Sequence, residues 1–226
     1  MKSRTVALII LVIIIADQGL KYWVKTHMVY QEQIPLLGSW FRLFFIENEG
    51  MAWGWKFGGD WGKMALTLFR LGAVIFGVFY IRGIVKKRFH PGFIICVGMI
   101  FAGALGNLID SLFYGLIFSN SDLGTPLAQL FPRGGGYAGF LHGRVVDMLY
   151  APIIEDKVLP SWIPVWGGER FTFFSPIFNL ADASISAGVI TILSFQKKFF
   201  KRIPLRETSP ASVEPNDPVN DNIRAL

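Results

Sequence analysis

The sequence predicts an all-α membrane protein: a four-transmembrane-helix bundle with a small extracytoplasmic β-rich loop domain and an inserted outer loop. Three observations predict it. Apolar residues fill 52% of the 226 positions and charged ones only 17%, where a soluble domain would carry nearer a quarter charged. The apolar residues gather in blocks, each near the ~20 positions that ~30 Å of hydrocarbon requires. Basic residues crowd some of the connecting segments and avoid others, which sets an orientation.

The first helix, about 5–24, follows Lys2 and Arg4. Its start resembles a signal peptide, but no small-x-small cleavage site follows, and apolar character continues through Leu20, Tyr22, Trp23 and Val24. It is read as a retained helix. The second and third helices, about 63–84 and 92–115, flank a basic turn, and the fourth, about 176–196, ends at Lys197 and Lys198. Residues 1–4, 82–90 and 197–202 hold ten Lys or Arg in nineteen positions, whereas 24–62 and 117–175 hold seven in ninety-eight. Flanking positive charge stays cytoplasmic. Both termini are therefore expected inside, with outer loops 25–62 and 116–175 outside, and residues 1–202 form one membrane domain.

All seven tryptophans fall in or beside those outer loops, counting Trp23 at the boundary. Indole rings prefer the headgroup region, so the loops are expected to lie on the outer leaflet. Within 34–57, Phe, Ile, Leu and Trp mixed with Gly suggest short strands. Residues 203–226 turn to Pro, Ser, Asn and Asp and read as a disordered cytoplasmic tail.

Several functions are disfavoured. The formal charge of +6 sits beside the hydrophobic blocks and not on a basic helix interleaved with stacking aromatics, so no nucleic-acid partner is expected. Cys96 is the lone cysteine, which excludes an intrachain disulfide or a cysteine-based metal cluster. His27, His90 and His142 show no ligand spacing. Neither metal nor cofactor is expected.

The polar residues in apolar surroundings are more informative. Asp147 lies in Gly-Arg-Val-Val-Asp-Met and Asp182 in Phe-Asn-Leu-Ala-Asp-Ala. An ionisable group in a span is expensive and marks a functional site by default. At ~1.5 Å per residue, Asp17 lies about 20 Å up the first helix, Asn107 about 23 Å up the third with Asp110 near the outer edge, and Asp182 roughly 9 Å below the outer surface. One outward-opening polar pocket, with Asp147 folded back from its loop, accommodates all of them. Asp17 and Lys21 are spaced i,i+4 and can pair. They and Asp110 read first as a network fixing helix register. Asp147 and Asp182 lack a cation at helical spacing and read as chemistry.

These residues carry a resemblance. Five blocks occur in one order over residues 10–195: Asp17-Gln18-Gly19-Leu20-Lys21, Asn48-Glu49-Gly50-Met51-Ala52-Trp53, Gly103-Ala104-Leu105-Gly106-Asn107-Leu108-Ile109-Asp110, Gly143-Arg144-Val145-Val146-Asp147 and Phe178-Asn179-Leu180-Ala181-Asp182. With them the chain resembles the lipoprotein signal peptidases (type II signal peptidases), membrane aspartic proteases of bacteria. The resemblance implies that Asp147 and Asp182 are a catalytic dyad. It implies that Asp17, Lys21, Asn48, Gly50, Asn107, Asp110, Asn179 and Ala181 line or brace the site. It also implies a diacylglyceryl-modified prolipoprotein as substrate, cut before its lipidated cysteine, in the bacterial inner membrane; membrane lipid is an expected partner and a monomer the expected state.

The chemistry agrees with that role. Two close carboxylates cannot both ionise cheaply and share a proton. The ionised member takes a proton from water, and the protonated member donates toward the scissile carbonyl and then the leaving amine. Asn48, Asn107 and Asn179 can hold a peptide backbone, orient a carboxylate, or serve as satisfied structural amides.

The chain departs from the family pattern in three places. Ser111 follows Asp110 where the family usually has Arg, and Arg144 or Arg133 is a candidate replacement. Residues 112–142 form a long insertion, and the dyad is separated by 35 positions, with 150–175 between them. Each insertion is a candidate lid or partner contact. Arg70, inside the second helix, can snorkel, pair with a site carboxylate, or meet headgroups. The rival functions are a small transporter or proton-relay protein, and a non-enzymatic membrane assembly factor. Transporter sites tend to lie at the midplane on repeated, broken helices, and this chain has no internal repeat.

Overall fold

The structure is a computed structural model of the chain, and it describes residues 2–38, 40–49, 59–158, 160–162, 168–173 and 175–200. Gly50, the later part of the 34–57 segment and the expected tail 203–226 lie outside the described residues.

Helix α1 runs Ser3–His27 and closes with the Met28 N–H donating to the Val24 carbonyl. Strands β1, Gln33–Leu37, and β2, Phe41–Asn48, follow as an antiparallel pair. Helix α2 is Gly59–Lys86. Helix α3 begins at Pro91, whose fixed φ and missing N–H suit a first helical position, after an N-cap in which His90 accepts from the Gly92 N–H. It runs to Ile117 through a π turn at Asp110–Tyr114. The chain then crosses the insertion to β3, Val145–Tyr150, and the β4–β5 hairpin, Ile154–Val158 and Arg170–Phe173. Strand β6, Ile177–Phe178, leads into α4, Leu180–Phe199.

The fourth helix differs from expectation. It starts at Leu180, not near 176, because Pro176 precedes a strand and Asn179 caps the helix. Asn179 and Asp182 form a reciprocal capping box: the Asp182 N–H donates to Asn179 Oδ1 at 2.9 Å, and the Asn179 N–H to Asp182 Oδ2 at 3.4 Å. Among the described residues, three helices are long and apolar enough to cross a membrane: Ser3–His27, Trp61–Lys86 and Pro91–Ile117. α4 has 20 residues, but polar groups from Asp182 to Lys198 lower its apolar content.

The helices carry apolar side chains outward, among them Leu8, Leu11, Val12, Ile15, Phe69, Phe76, Phe79, Ile190 and Leu193. Outward apolar faces of this size suit lipid, not water. Between α3 and its neighbours, small residues let the backbones approach closely. A Cβ at Gly106 would sit 2.7 Å from Asp17 Oδ2 and 3.4 Å from the Ala181 Cβ. Trp40, between β1 and β2, Trp61, in the first turn of α2, and Trp162, between β4 and β5, are exposed.

The main sheet is antiparallel, in the order β1-β2-β3-β6. It shares a core with the adjoining helix ends and the insertion: Val24, Met28, Leu43, Phe45, Tyr114, Phe118, Ala128, Val146 and Met148. A second cluster, Val6, Ile81, Ile84, Phe93 and Ile94, closes the opposite end of the bundle. β3 is buried at five of its six positions, so Asp147 sits in the protein's interior.

Candidate active site

Strand register brings Asn48 to Asp147. Ile46 pairs with Asp147 across β2 and β3, and Asn48, two residues on, lies on the same face as a diagonal neighbour. Its Nδ2 donates to Asp147 Oδ2 at 3.3 Å. Asn179 Nδ2 donates to Asp147 Oδ1 at 2.7 Å and also to Asn107 Oδ1 at 3.1 Å. Asn107 Nδ2 in turn donates to Asp182 Oδ1 at 2.8 Å. Two amides therefore link the two aspartates. Asp147 is buried and Asp182 half-buried, so the pair lies at the edge of the polar cluster. Burial, and after it the Asp182 charge, pushes Asp147 up to about 7.

Beneath the pair lies a charged layer. Lys21 Nζ meets Asp17 Oδ2 at 2.9 Å, Asp110 Oδ2 at 2.8 Å and Asn107 Oδ1 at 2.9 Å. The two acids reach beyond the lysine. Asp17 Oδ1 accepts the Ala181 N–H at 2.9 Å, and Asp110 Oδ2 accepts the Val146 N–H at 3.3 Å. Each thus grips the backbone one residue before an aspartate of the pair. Asp17 also satisfies an N–H that the first turn of α4 would otherwise leave without a partner.

Of the residues expected at the site, Asp17, Lys21, Asn48, Asn107, Asp110, Asp147, Asn179, Ala181 and Asp182 come together in this cluster. Gly50 lies outside the described residues. Gln18 is an addition: its Nε2 donates to Asp110 Oδ1 at 2.9 Å, Asp17 Oδ2 at 3.1 Å and the Gly106 carbonyl at 3.2 Å, and its Oε1 accepts from Tyr114 Oη at 3.2 Å. It sits inside the first motif block, but apart from Asp17 its partners lie 88, 92 and 96 residues away, and sequence spacing cannot show them.

The expected replacement for the arginine absent at 111 is corrected. Arg144 turns instead to Glu47 at 3.3 Å, Asn120 Oδ1 at 3.0 Å and Asp122 at 3.5 Å. Burial opposes its charge, but Glu47 beside it prevails and holds the guanidinium above its ordinary pKa. Arg133 is exposed on the insertion. The guanidinium that reaches Ser111 belongs to Arg70, whose Nη1 donates to Ser111 Oγ at 3.1 Å. Arg70 therefore points inward and does not snorkel. The other arginine's site is a separate network in which buried Lys25 pairs with Glu47 and donates to Ser121 Oγ at 2.9 Å. It ties the insertion to α1 and β2. Just past the insertion the chain packs on the π turn: the Gly143 N–H donates to the Ser111 carbonyl at 2.9 Å, and a Cβ at Gly143 would collide with the Asp110 carbonyl.

A bundle of apolar helices carrying two amide-held aspartates at the sheet end is the arrangement a membrane aspartic enzyme requires. The sequence comparisons agree. The family model described as signal peptidase (SPase) II matches residues 9–197, and the chain belongs to that family. A lipoprotein signal peptidase of Porphyromonas gingivalis is 48% identical over 193 residues, covering 85% of this chain and 82% of the relative. One from Amoebophilus asiaticus is 38% identical, covering 82% and 74%. A bacterial membrane enzyme solved by the in meso method superposes with a TM-score of 0.55 at 25% identity, covering 87% of this chain and 94% of that one. A second shares the fold at 23% identity, also with a TM-score of 0.55. Family membership sets aside the transporter, proton-relay and assembly-factor readings.

Proposed function

We propose that Asp147 and Asp182 are the catalytic dyad of this lipoprotein signal peptidase. As a member of the signal peptidase II family, the chain is an aspartic endopeptidase that removes signal peptides from prolipoproteins. The observation that carries the assignment is the amide relay Asp147–Asn179–Asn107–Asp182. It holds both carboxylates in one network with uncharged partners, so a proton can reside on the pair.

In the resting site the pair holds one proton and titrates as a unit. Burial and the Asp182 charge raise proton affinity at Asp147, which favours one proton on the pair near neutral pH. The ionised carboxylate draws a proton from water as the water attacks the carbonyl before the lipidated cysteine. The protonated carboxyl donates to the carbonyl oxygen and later to the departing amine. Asn48, Asn107 and Asn179 orient the carboxylates, while Asp17, Lys21 and Asp110 brace the backbone beneath them.

In this reading α4 is the fourth crossing. Both termini lie in the cytoplasm and the sheet faces the extracytoplasmic side, because basic residues flank the other end of the bundle. Exposed Trp40, Trp61 and Trp162 support placing the sheet at the headgroups. The diacylglyceryl chains of the substrate would lie in lipid beside the bundle while its peptide enters the polar cluster. The test uses purified protein with diacylglyceryl-modified and unmodified precursor. The modified precursor should be shortened at the residue before cysteine. Failure to cut it, or equal cutting of both, contradicts the reading.

A further inference from the structure

Arg70 stands where a charge is expensive. Eleven residues into α2 from Gly59, it lies about 16 Å along the helix axis, among exposed Leu68, Phe69, Ile75 and Phe76. A long cationic side chain on such a helix usually reaches for the membrane surface. This one turns into the bundle and is half-buried. Its Nη1 donates to Ser111 Oγ, and that hydroxyl donates on to the Asn107 carbonyl at 3.0 Å. The carboxylates near enough to act on its charge include Asp182, Asp110 and Asp147.

A charge count gives the guanidinium a task. The groups facing the centre are Asp17 and Lys21 from α1, Asp110 from α3, Asp147 from β3 and Asp182 from α4. Lys21 is taken up by Asp17 and Asp110. With one proton on the Asp147–Asp182 pair, a negative charge remains on that side of the cluster, and Arg70 is the cation from α2 that faces it.

We propose that Arg70 is a positioning residue for peptide cleavage. From α2 it supplies the countercharge at Ser111 that steadies the singly ionised pair and fixes the Asn107 segment carrying one end of the relay. The proposal rests on the dyad reading and adds to it a residue from a different helix. It also accounts for Ser111. A small hydroxyl there leaves room for a guanidinium arriving from α2 and offers it an acceptor, whereas a large basic side chain at 111 would compete for the same space.

Cleavage of a diacylglyceryl-modified precursor by the purified full chain, measured against pH, tests it. A nearby positive charge favours the ionised carboxylate, so its loss makes the first ionisation of the pair harder. Arg70→Gln should therefore slow cleavage at neutral pH at least about tenfold and move the acid limb of the profile up by about one pH unit. Arg70→Lys should keep the limb near its original place. The double variant Arg70→Gln with Ser111→Arg should recover most of the lost rate, because the cation returns to the same spot from α3. An unmoved limb in Arg70→Gln overturns the proposal. So does a rate loss that neither Arg70→Lys nor the double variant relieves, since that marks a packing role. Asp182→Asn in the same assay separates the layers. Normal cleavage by Asp182→Asn removes the dyad reading and this proposal with it, whereas its inactivity beside an unmoved Arg70→Gln profile removes this proposal alone.

Discussion

Asp17 and Asp110, beneath the site, and Asp147 and Asp182, at its edge, share one polar cluster but are partnered by different chemistry. The lower two bind an ammonium directly, at 2.9 and 2.8 Å. The upper two are held by neutral asparagines. The lower two, sharing one ammonium and each accepting a backbone N–H, are built as structure. Of the upper two, Asp147 is pushed up to about 7 by burial and the neighbouring Asp182 charge. On the proposed dyad reading, the four acids of this cluster divide into braces and reagents by partner, not by burial. The division is also spatially economical, since each brace grips the backbone amide preceding one reagent.

Removing charge from each layer should break the protein differently. Asp147→Asn or Asp182→Asn should cost on the order of 10³ in cleavage rate, within the range for a lost acid or base, while the protein stays folded and abundant in the membrane. Lys21→Met should do the reverse. It leaves two buried carboxylates without their cation, a loss of about 3–5 kcal/mol, seen as low membrane abundance and early melting. A stable, abundant Lys21→Met protein would mean that the lower layer is not a brace.

Acidity sharpens the contrast. Asp147 has a folded pKa of about 7 against an ordinary value of 3.8. Between those values the unfolded chain has lost the proton and the folded one keeps it. Its contribution to stability is therefore complete below about pH 4 and falls, by about 1.4 kcal/mol per pH unit, as pH rises toward 7. Asp147→Asn should remove this part of the pH slope in thermal melts, and an unchanged slope would show that Asp147 ionises as an ordinary carboxylate. A smaller effect is expected at Gly106→Ala, whose Cβ would press on Asp17 at 2.7 Å. Overpacking of this kind costs about 1–3 kcal/mol, and melting should register it before cleavage does.

How much of this was visible in the sequence follows the range of the interactions. The apolar spans and basic flanks are local patterns, and they located three apolar helices and the reach of the fourth to within a few residues. The start of α4 was misplaced because a two-residue strand before a capped helix leaves no periodic signal. The grouping of Asp147, Asp182 and their asparagines was legible because ordered motif blocks carry them. The partners of Gln18, Lys25 and Arg70 were not legible. These residues meet groups 92, 96 and 41 positions away, and only the packing of α1, α2 and the π turn of α3 brings them together. Arg144 illustrates the limit: its position beside Asp147 in sequence suggested a site role, yet its side chain serves the insertion through Glu47.

The most direct test compares Asp147→Asn, Asp182→Asn and the double variant on one purified, diacylglyceryl-modified precursor. Residues that act as a unit are strongly non-additive. Each single change should therefore remove cleavage to the same residual rate, about 10³-fold down, and the double should lose nothing more. Normal cutting by either single variant, or losses that multiply in the double, would contradict a shared-proton pair.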